Sequence, residues 1–298
     1  MSPHGMKMPL CTAAHTALLI DVDKGVRPCC AYEGNHMPGS QSVASLGDVT
    51  LSEILGGLVW SGVRDQLARR EVPPACLHCI EREKRVGSSQ RLAMLNRQSP
   101  NWHKVITYLE LNSSNLCNLQ CRHCSPTFSS RWAKHAQRRG DTHAKVVFPD
   151  GELILRNLQS VDLQHLDYVA IKGGEPMLNS DVLVLLRHLD SIGVFKNITL
   201  HLVTNGTVIN PAILDLMRRA RSCQICLSID GVGPVQTYIR HGGSEIEQIE
   251  EAIAVYAAMP NVQLSRNTSV MAYNIFRLDA IDDWWSGLAT RFPGNYCG

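Results

Sequence analysis

Three cysteines raise the first chemical question. They stand in the run Asn115-Leu116-Cys117-Asn118-Leu119-Gln120-Cys121-Arg122-His123-Cys124. Thiolates are soft ligands suited to iron–sulfur clusters or zinc. A closed structural zinc site takes four protein ligands, and only three cysteines are close together here. On a four-iron cluster, three thiolates leave one iron open to a small molecule. The alternative is a zinc knuckle completed by His123 or by a distant residue.

The chain holds 11 cysteines in all. Cys11, Cys29–Cys30, Cys76 and Cys79 come before the loop, and Cys223, Cys226 and Cys297 after it. Clustered cysteines in a reducing compartment point to metal or redox chemistry rather than to disulfides. Cys223 and Cys226 make a C-x-x-C, but they fall in a predicted strand. Residues three apart on a strand point to opposite faces, which makes them poor joint ligands. Cys226 shares its face with Ser228 and Asp230. A thiol there could give a hydrogen atom to a substrate radical, or could simply fill space.

These groups need a scaffold, and 298 residues suffice for one large domain or two smaller ones. Hydrophobic residues at 44% and charged residues at 19% are an ordinary globular balance. Lys plus Arg is 29 against 27 for Asp plus Glu, a net charge of +2, so no broad nucleic-acid or membrane surface is expected. The first ten residues carry no long apolar run of a signal peptide. Cytoplasmic location is the expectation.

A boundary is predicted near Ser99–Pro100, dividing a cysteine-rich region, 1–99, from a second region, 100–298. The first should hold a hairpin around Ala17 to Pro28 and helices around Leu51 to Arg70 and Ala75 to Asn96. The second alternates strand and helix. Strands are predicted at Val105–Asn112, Tyr168–Lys172, Ile198–Val203, Ile225–Ile229 and Val262–Met271. Helices are predicted at Ser125–Arg139, Asp181–Ile192, from Asn210 and Pro211 onward, at Glu245–Met259 and at Asp279–Leu288. That alternation predicts an α/β fold, a partial TIM-like (β/α) barrel of five to six units. Its active-site groups should sit at the C-terminal strand ends.

Four further motifs follow the cysteines in order: Lys172-Gly173-Gly174-Glu175-Pro176, Thr204-Asn205-Gly206, Leu227-Ser228-Ile229-Asp230-Gly231 and Tyr238-Ile239-Arg240-His241-Gly242. With the CxxxCxxC loop they resemble the radical S-adenosylmethionine (SAM) superfamily over about residues 100–275. The resemblance implies a [4Fe–4S] cluster on Cys117, Cys121 and Cys124, with SAM on the open iron. It implies that Gly173, Gly174 and Glu175 serve SAM's amino group, that Thr204 and Asn205 lie near its ribose, and that Ser228 contacts ribose or carboxylate. Arg240 would sit near that carboxylate, a surface salt bridge being the other reading. His123 falls where members carry an aromatic that packs on adenine, the alternative being a solvent-facing histidine. The implied activity is reductive cleavage of SAM to a 5′-deoxyadenosyl radical. That radical takes a hydrogen atom from a peptide, a sugar or natural product, or a nucleoside. The electron donor would be of the flavodoxin or ferredoxin kind.

The first region, with Cys11, Val26-Arg27-Pro28-Cys29-Cys30 and Pro73-Pro74-Ala75-Cys76-Leu77-His78-Cys79, resembles the twitch segments of some radical SAM proteins, which are related to the SPASM module. The resemblance implies an auxiliary [4Fe–4S] cluster on Cys11, Cys29, Cys76 and Cys79, with Cys30 competing for the second position. A structural zinc on the same four residues is the alternative. Five strand–helix units are countable where the family core has six. A basic helix face, Arg131, Lys134, Arg138 and Arg139, could attract an acidic substrate or a reductase, or simply be solvated. The non-enzyme reading is an iron–sulfur electron carrier or a zinc-stabilised binding module.

Overall fold

The computed structural model describes residues 9–34, 42–47, 49–97 and 105–293. The predicted boundary at Ser99–Pro100 and Cys297 lie outside the described residues.

The chain begins with a short helix α1 (Ala13–Thr16) and strand β1 (Ala17–Ile20), then β2 (Gly25–Arg27) and β3 (Ala44–Ser45). β1 and β2 form the predicted hairpin, with Leu19 opposite Arg27. The predicted helix over Leu51 to Arg70 is two helices, α2 (Leu51–Gly56) and α3 (Leu58–Ala68). Gly57 breaks the run with an extended backbone, ψ 160°. Thr50 and Glu53 form a capping box at the start of α2. The stretch from Ala75 to Asn96 also splits. A tight turn (Pro74–Cys76) leads into α4 (Leu77–Val86), and Gly87, at φ 70°, ends it. Ser89 then caps α5 (Gln90–Asn96) through the N–H of Leu92.

Strand β4 (Tyr108–Leu111) follows, and β1 lies parallel to it, with Ala17 opposite Tyr108 and Ile20 opposite Leu111. Every residue of both strands is buried, the pattern of a strand covered on both faces. Next come α6 (Ser130–Arg138), α7 (Gly151–Leu158), β5 (Tyr168–Ile171), α8 (Ser180–Ser191), β6 (Thr199–Thr204), α9 (Pro211–Met217), β7 (Ser222–Ser228), α10 (Pro234–Ile239), α11 (Ile246–Ala257), β8 (Val262–Asn267) and α12 (Leu278–Arg291). This is the α/β alternation expected. α7 is an element the sequence pattern did not yield.

Two compact units result: residues 1–113 with 151–169, and residues 114–150 with 170–298. In the first, strand order is β3-β2-β1-β4. Leu18, Leu19, Ile20, Trp60, Leu67, Leu109 and Ile154 form its core. The Trp60 indole N–H donates to the Ala14 carbonyl at 2.8 Å. Buried Asn157 of α7 accepts the Leu51 N–H at 2.8 Å and so caps α2.

In the second unit, β6, β7 and β8 run parallel in register, with Val203, Cys226 and Ser265 in one row. Along β7 the odd positions Cys223, Ile225 and Leu227 are fully buried, and Gln224 and Cys226 are half-buried. One face therefore belongs to the helix-covered core and the other presents polar groups, as period-two alternation requires. α8 buries Val182, Leu185, Leu186 and Leu189, and α11 buries Ile246, Ile249 and Ile253. Asn210 caps α9 as expected, its Oδ1 accepting from Ala212 and Ile213. Among the described residues, no helix is long and apolar enough to cross a membrane.

Candidate active site

The cysteine loop opens the second unit, and its shape is set mainly by side-chain bonds to its own backbone. Asn115, fully buried, donates to the carbonyls of Pro126 and Lys145 and accepts from the N–H of Val147. The Cys117 N–H donates to Ser130 Oγ at 3.2 Å, and Ser129 Oγ donates to the Leu119 carbonyl at 2.8 Å. Ser129 also caps α6 through the Trp132 N–H, which is why the helix begins at Ser130 rather than at Ser125. The Trp132 indole returns to the Cys121 carbonyl at 2.7 Å. Leu119 anchors the loop with no exposed surface.

The Tyr238–Gly242 segment splints the same loop. The N–H of Gln120 donates to the His241 carbonyl at 2.7 Å, and the N–H of Arg122 to the Ile239 carbonyl at 2.8 Å. The Arg122 guanidinium lies 3.8 Å from the Tyr238 ring centroid, a cation–π contact.

The Gly173-Gly174-Glu175 turn meets the loop at Leu116. Gly174 takes φ 45°, and a Cβ there would stand 2.4 Å from the Leu116 carbonyl oxygen. Only glycine allows this approach. The Glu175 N–H donates to that same carbonyl at 2.8 Å. Glu175 itself has no exposed surface. Its Oε1 accepts from Thr204 Oγ1 at 2.7 Å and from the Met177 N–H at 3.1 Å, and its Oε2 accepts from the Asn205 N–H at 2.8 Å. Burial pushes its carboxyl above the usual range, against the three hydrogen bonds. The carboxylate thus fastens the Thr204-Asn205-Gly206 turn to the glycine turn, a task the motif alone did not disclose. Asn205 Nδ2 donates to Asn118 Oδ1 at 3.0 Å and lies 4.0 Å from Cys117 Sγ.

A third support is a buried ion pair. Asp230, fully buried, stands with Oδ2 2.8 Å from Arg240 Nε. Arg240 is 7% exposed, so the pair is not a surface salt bridge. Its Nη1 lies 3.9 Å from Cys121 Sγ. His123 Nε2 lies 3.7 Å from Asp230 Oδ2, with its side chain 31% exposed, so it faces the ion pair rather than solvent alone. Burial lowers its pKa, partly offset by Asp230. Ser228 ends β7, and Asn267 faces it across the strand pair. Sequence reasoning missed the parts played by Asp230 and Asn118; the signal for the first was its place in Ser228-Ile229-Asp230-Gly231.

Burial pushes the Cys117 thiol up to about 12 and the Cys121 thiol up to about 11, with Arg240 opposing the rise at Cys121. Cys124 is raised for the same reason. No three His, Cys, Asp or Glu side chains among the described residues close on a single metal ion. A multi-iron cluster spreads its thiolates wider than one ion does. Cys223 is fully buried, its thiol donating to the Met217 carbonyl at 3.3 Å. Cys226 lies on the other face, as the strand period demands. Arg131, Lys134, Arg138 and Arg139 are exposed.

In the first unit, Cys11, Cys29, Cys76 and Cys79 line one cavity together with Leu10, Tyr32 and Arg91. Cys30 is exposed and lies outside that lining. Desolvation pushes Cys11 up to about 11, Cys76 up to about 12 and Cys29 well up. Arg91 pairs with Glu83 and donates to the Leu10 carbonyl, next to Cys11.

Comparison with known proteins bears on the family. A family model, the Radical SAM superfamily, matches residues 111–268. The GTP 3′,8-cyclase of Petrotoga mobilis is 28% identical over 157 residues, 51% of this chain and 44% of that protein. The 7-carboxy-7-deazaguanine synthase of Halobacterium salinarum is 34% identical over 100 residues, 34% of this chain and 32% of that protein. Among solved structures, native anSMEcpe with bound AdoMet and Cp18Cys peptide aligns with a TM-score of 0.42 at 18% identity, over 62% of this chain and 48% of that one. The chain spans about half the length, or less, of the relatives it matches. The family match takes in more than half of the 298 residues, from the end of β4 through β8 and so across every support of the cysteine loop, and the chain belongs to the radical SAM superfamily.

Proposed function

We propose that the second unit holds a [4Fe–4S] cluster on Cys117, Cys121 and Cys124, binds SAM beside it, and uses the pair to take a hydrogen atom from an organic substrate. The observation that carries this reading is the meeting of Gly174 with the Leu116 carbonyl, where a Cβ would stand at 2.4 Å. It brings the glycine turn against the residue before Cys117, where a small ligand could touch both. The donor set also fits: one buried and two half-buried thiols, the buried one beside a guanidinium, leave one iron of a four-iron cluster without a protein ligand. When bound, the cluster supplies the electron that cleaves SAM to a 5′-deoxyadenosyl radical.

The chain's own residues hold and shield. Glu175 locks the Thr204–Gly206 turn, so Asn205 and Asn118 are preset around Cys117. Leu119 and Trp132 close the back of the loop. Ser228 and Cys226 lie on the half-buried polar face of β7, where a substrate could reach. A hydrogen-atom donor must be S–H rather than thiolate, and burial raises the Cys226 pKa against Ser265 and Lys172. We place Cys226 as such a donor.

Cys11, Cys29, Cys76 and Cys79 fit a second [4Fe–4S] cluster. Four protein thiolates would close it to substrate, leaving an electron-transfer or structural role. Relatives named for GTP and for 7-carboxy-7-deazaguanine, and a structural neighbour holding a peptide, keep nucleotide and peptide substrates both in view.

The test is anaerobic reconstitution followed by assay of 5′-deoxyadenosine under strong reduction. Formation in the wild type and loss in Cys117→Ala, Cys121→Ala and Cys124→Ala are expected. Persistent formation in those variants, or no SAM binding by calorimetry, would overturn the reading in favour of an electron carrier or zinc module.

A further inference from the structure

We infer that Arg240 is a positioning residue for the Cys121 thiolate, held in place by Asp230, and that its guanidinium raises the reduction potential of the cluster Cys121 would ligate. The inference rests on the proposed function and goes further, assigning the ion pair a redox task rather than a part in binding SAM.

Both partners of the pair are fixed from several sides. Asp230 Oδ1 accepts the Ser269 N–H at 2.8 Å, and its carbonyl accepts from Asn274 Nδ2 at 2.9 Å. Its own N–H donates to Gln236 Oε1 at 2.9 Å, and Gln236 Nε2 in turn donates to Ser244 Oγ at 3.1 Å. Gln236 and Ser244 are fully buried, so the Asp230 backbone is fixed, while the Ser269 N–H holds its carboxylate. On the arginine side, the carbonyls of Ile239 and His241 accept from Arg122 and Gln120 of the cysteine loop. The Arg240 backbone is therefore tied to the loop whose sulfur its side chain meets.

The guanidinium geometry then divides the work. Nε lies against Asp230 at 2.8 Å, and Nη1 reaches toward Cys121 Sγ at 3.9 Å. The contact with Asp230 is a charge pairing rather than an aligned hydrogen bond, and a guanidinium can meet a carboxylate and a sulfur through different nitrogens, which a compact lysine ammonium does less readily. Hydrogen bonds and charge at a cluster's sulfurs set its potential, because reduction adds negative charge that a nearby cation stabilises. Asp230 offsets part of this from farther away. Its chief work is to aim the fork and to keep a buried cation from standing unpaired.

The experiment is a redox titration of the full, reconstituted chain without SAM, followed by electron paramagnetic resonance. The relevant cluster is identified separately as the one whose signal changes when SAM is added. In Arg240→Gln its midpoint potential should shift to more negative values at unchanged iron content. Arg240→Lys should recover part of the shift. Asp230→Asn combined with Arg240→Gln leaves no buried unpaired charge and keeps the test valid if the single variant folds poorly; it should shift in the same direction by less. Unchanged potentials with weaker SAM binding would overturn the inference and assign Arg240 to SAM alone, with the proposed function intact. Absence of any SAM-responsive cluster in the wild type would instead remove the proposed function, and this inference with it.

Discussion

The Glu175 carboxylate accepts the Asn205 backbone N–H at 2.8 Å. One side chain thereby joins the turns that end β5 and β6. It takes two more donors, Thr204 Oγ1 and the Met177 N–H, with no exposed surface. Glutamine is nearly isosteric but must turn an NH2 group toward at least one of these donors. Glu175→Gln should therefore cost about 1–3 kcal/mol, the penalty of a buried polar group left unmatched. Chemical denaturation monitored by circular dichroism checks it. A loss below about 0.5 kcal/mol would mean that the three bonds are not maintained together in solution.

Gly174→Ala should be more damaging. The position has φ 45°, and the added Cβ would meet the Leu116 carbonyl at 2.4 Å. Left-handed backbone alone costs a non-glycine residue about 1–2 kcal/mol, and the neighbour is backbone that can yield only by moving Cys117. SAM affinity measured by calorimetry should fall at least tenfold, with iron content at the loop reduced. Unchanged affinity would show that the close approach is not needed. Gly87→Ala is the control: φ is 70°, but nothing lies within 4 Å of the added Cβ, so it should lower stability modestly and leave SAM binding alone.

How much of this could be read from the chain depends on whether the cause is local. Asn210 followed by Pro211 announces a helix start, and Asn210 does cap Ala212 and Ile213. The burial alternation of β7 follows from Cys223, Ile225 and Leu227. By contrast, β8 stops at Asn267 although the sequence pattern predicts a strand running to Met271. The reason is distant: the Asp230 carboxylate accepts the Ser269 N–H, while Asn274 accepts the Met271 N–H through Oδ1 and donates through Nδ2 to the Ser269 carbonyl. The site divides in the same way. The cysteines and glycine turns are visible as motifs. The fastening by Glu175 and the burial of Arg240 beside Asp230 depend on tertiary contacts that no spacing reveals. The expected sixth strand–helix unit has a partial counterpart in β1, which runs parallel to β4 from the cysteine-rich segment.

Cys29 and Cys30 should behave differently despite being neighbours. Cys29 lines the cavity shared with Cys11, Cys76 and Cys79, and Cys30 is exposed outside it. The wild type should bind about eight irons, from two four-iron clusters. Cys29→Ala should lose about half of that iron while 5′-deoxyadenosine formation persists. Cys30→Ala should keep the full complement. Loss of iron in Cys30→Ala would exchange the two assignments. About four irons plus one zinc in the wild type would make this a structural zinc site.

Cys226→Ala tests the hydrogen-donor assignment. The thiol is half-buried in the row Val203–Cys226–Ser265, on the same face of β7 as Ser228. Desolvation keeps it protonated at neutral pH, which outweighs the lowering by Ser265 and Lys172. Passing its hydrogen atom to a carbon radical would form a C–H bond, break the S–H bond and leave a thiyl. One electron from the external reductant and one proton from water would then restore the thiol. The variant should still cleave SAM and abstract hydrogen from its substrate, seen as deuterium moving from labelled substrate into 5′-deoxyadenosine. It should fail to return hydrogen, so solvent deuterium should no longer enter the product. Cys223→Ala, on the opposite, helix-covered face, should leave that incorporation unchanged and lower stability instead, by about 1 kcal/mol for the small cavity it opens. Normal turnover and labelling in Cys226→Ala would reduce this thiol to a space-filling side chain.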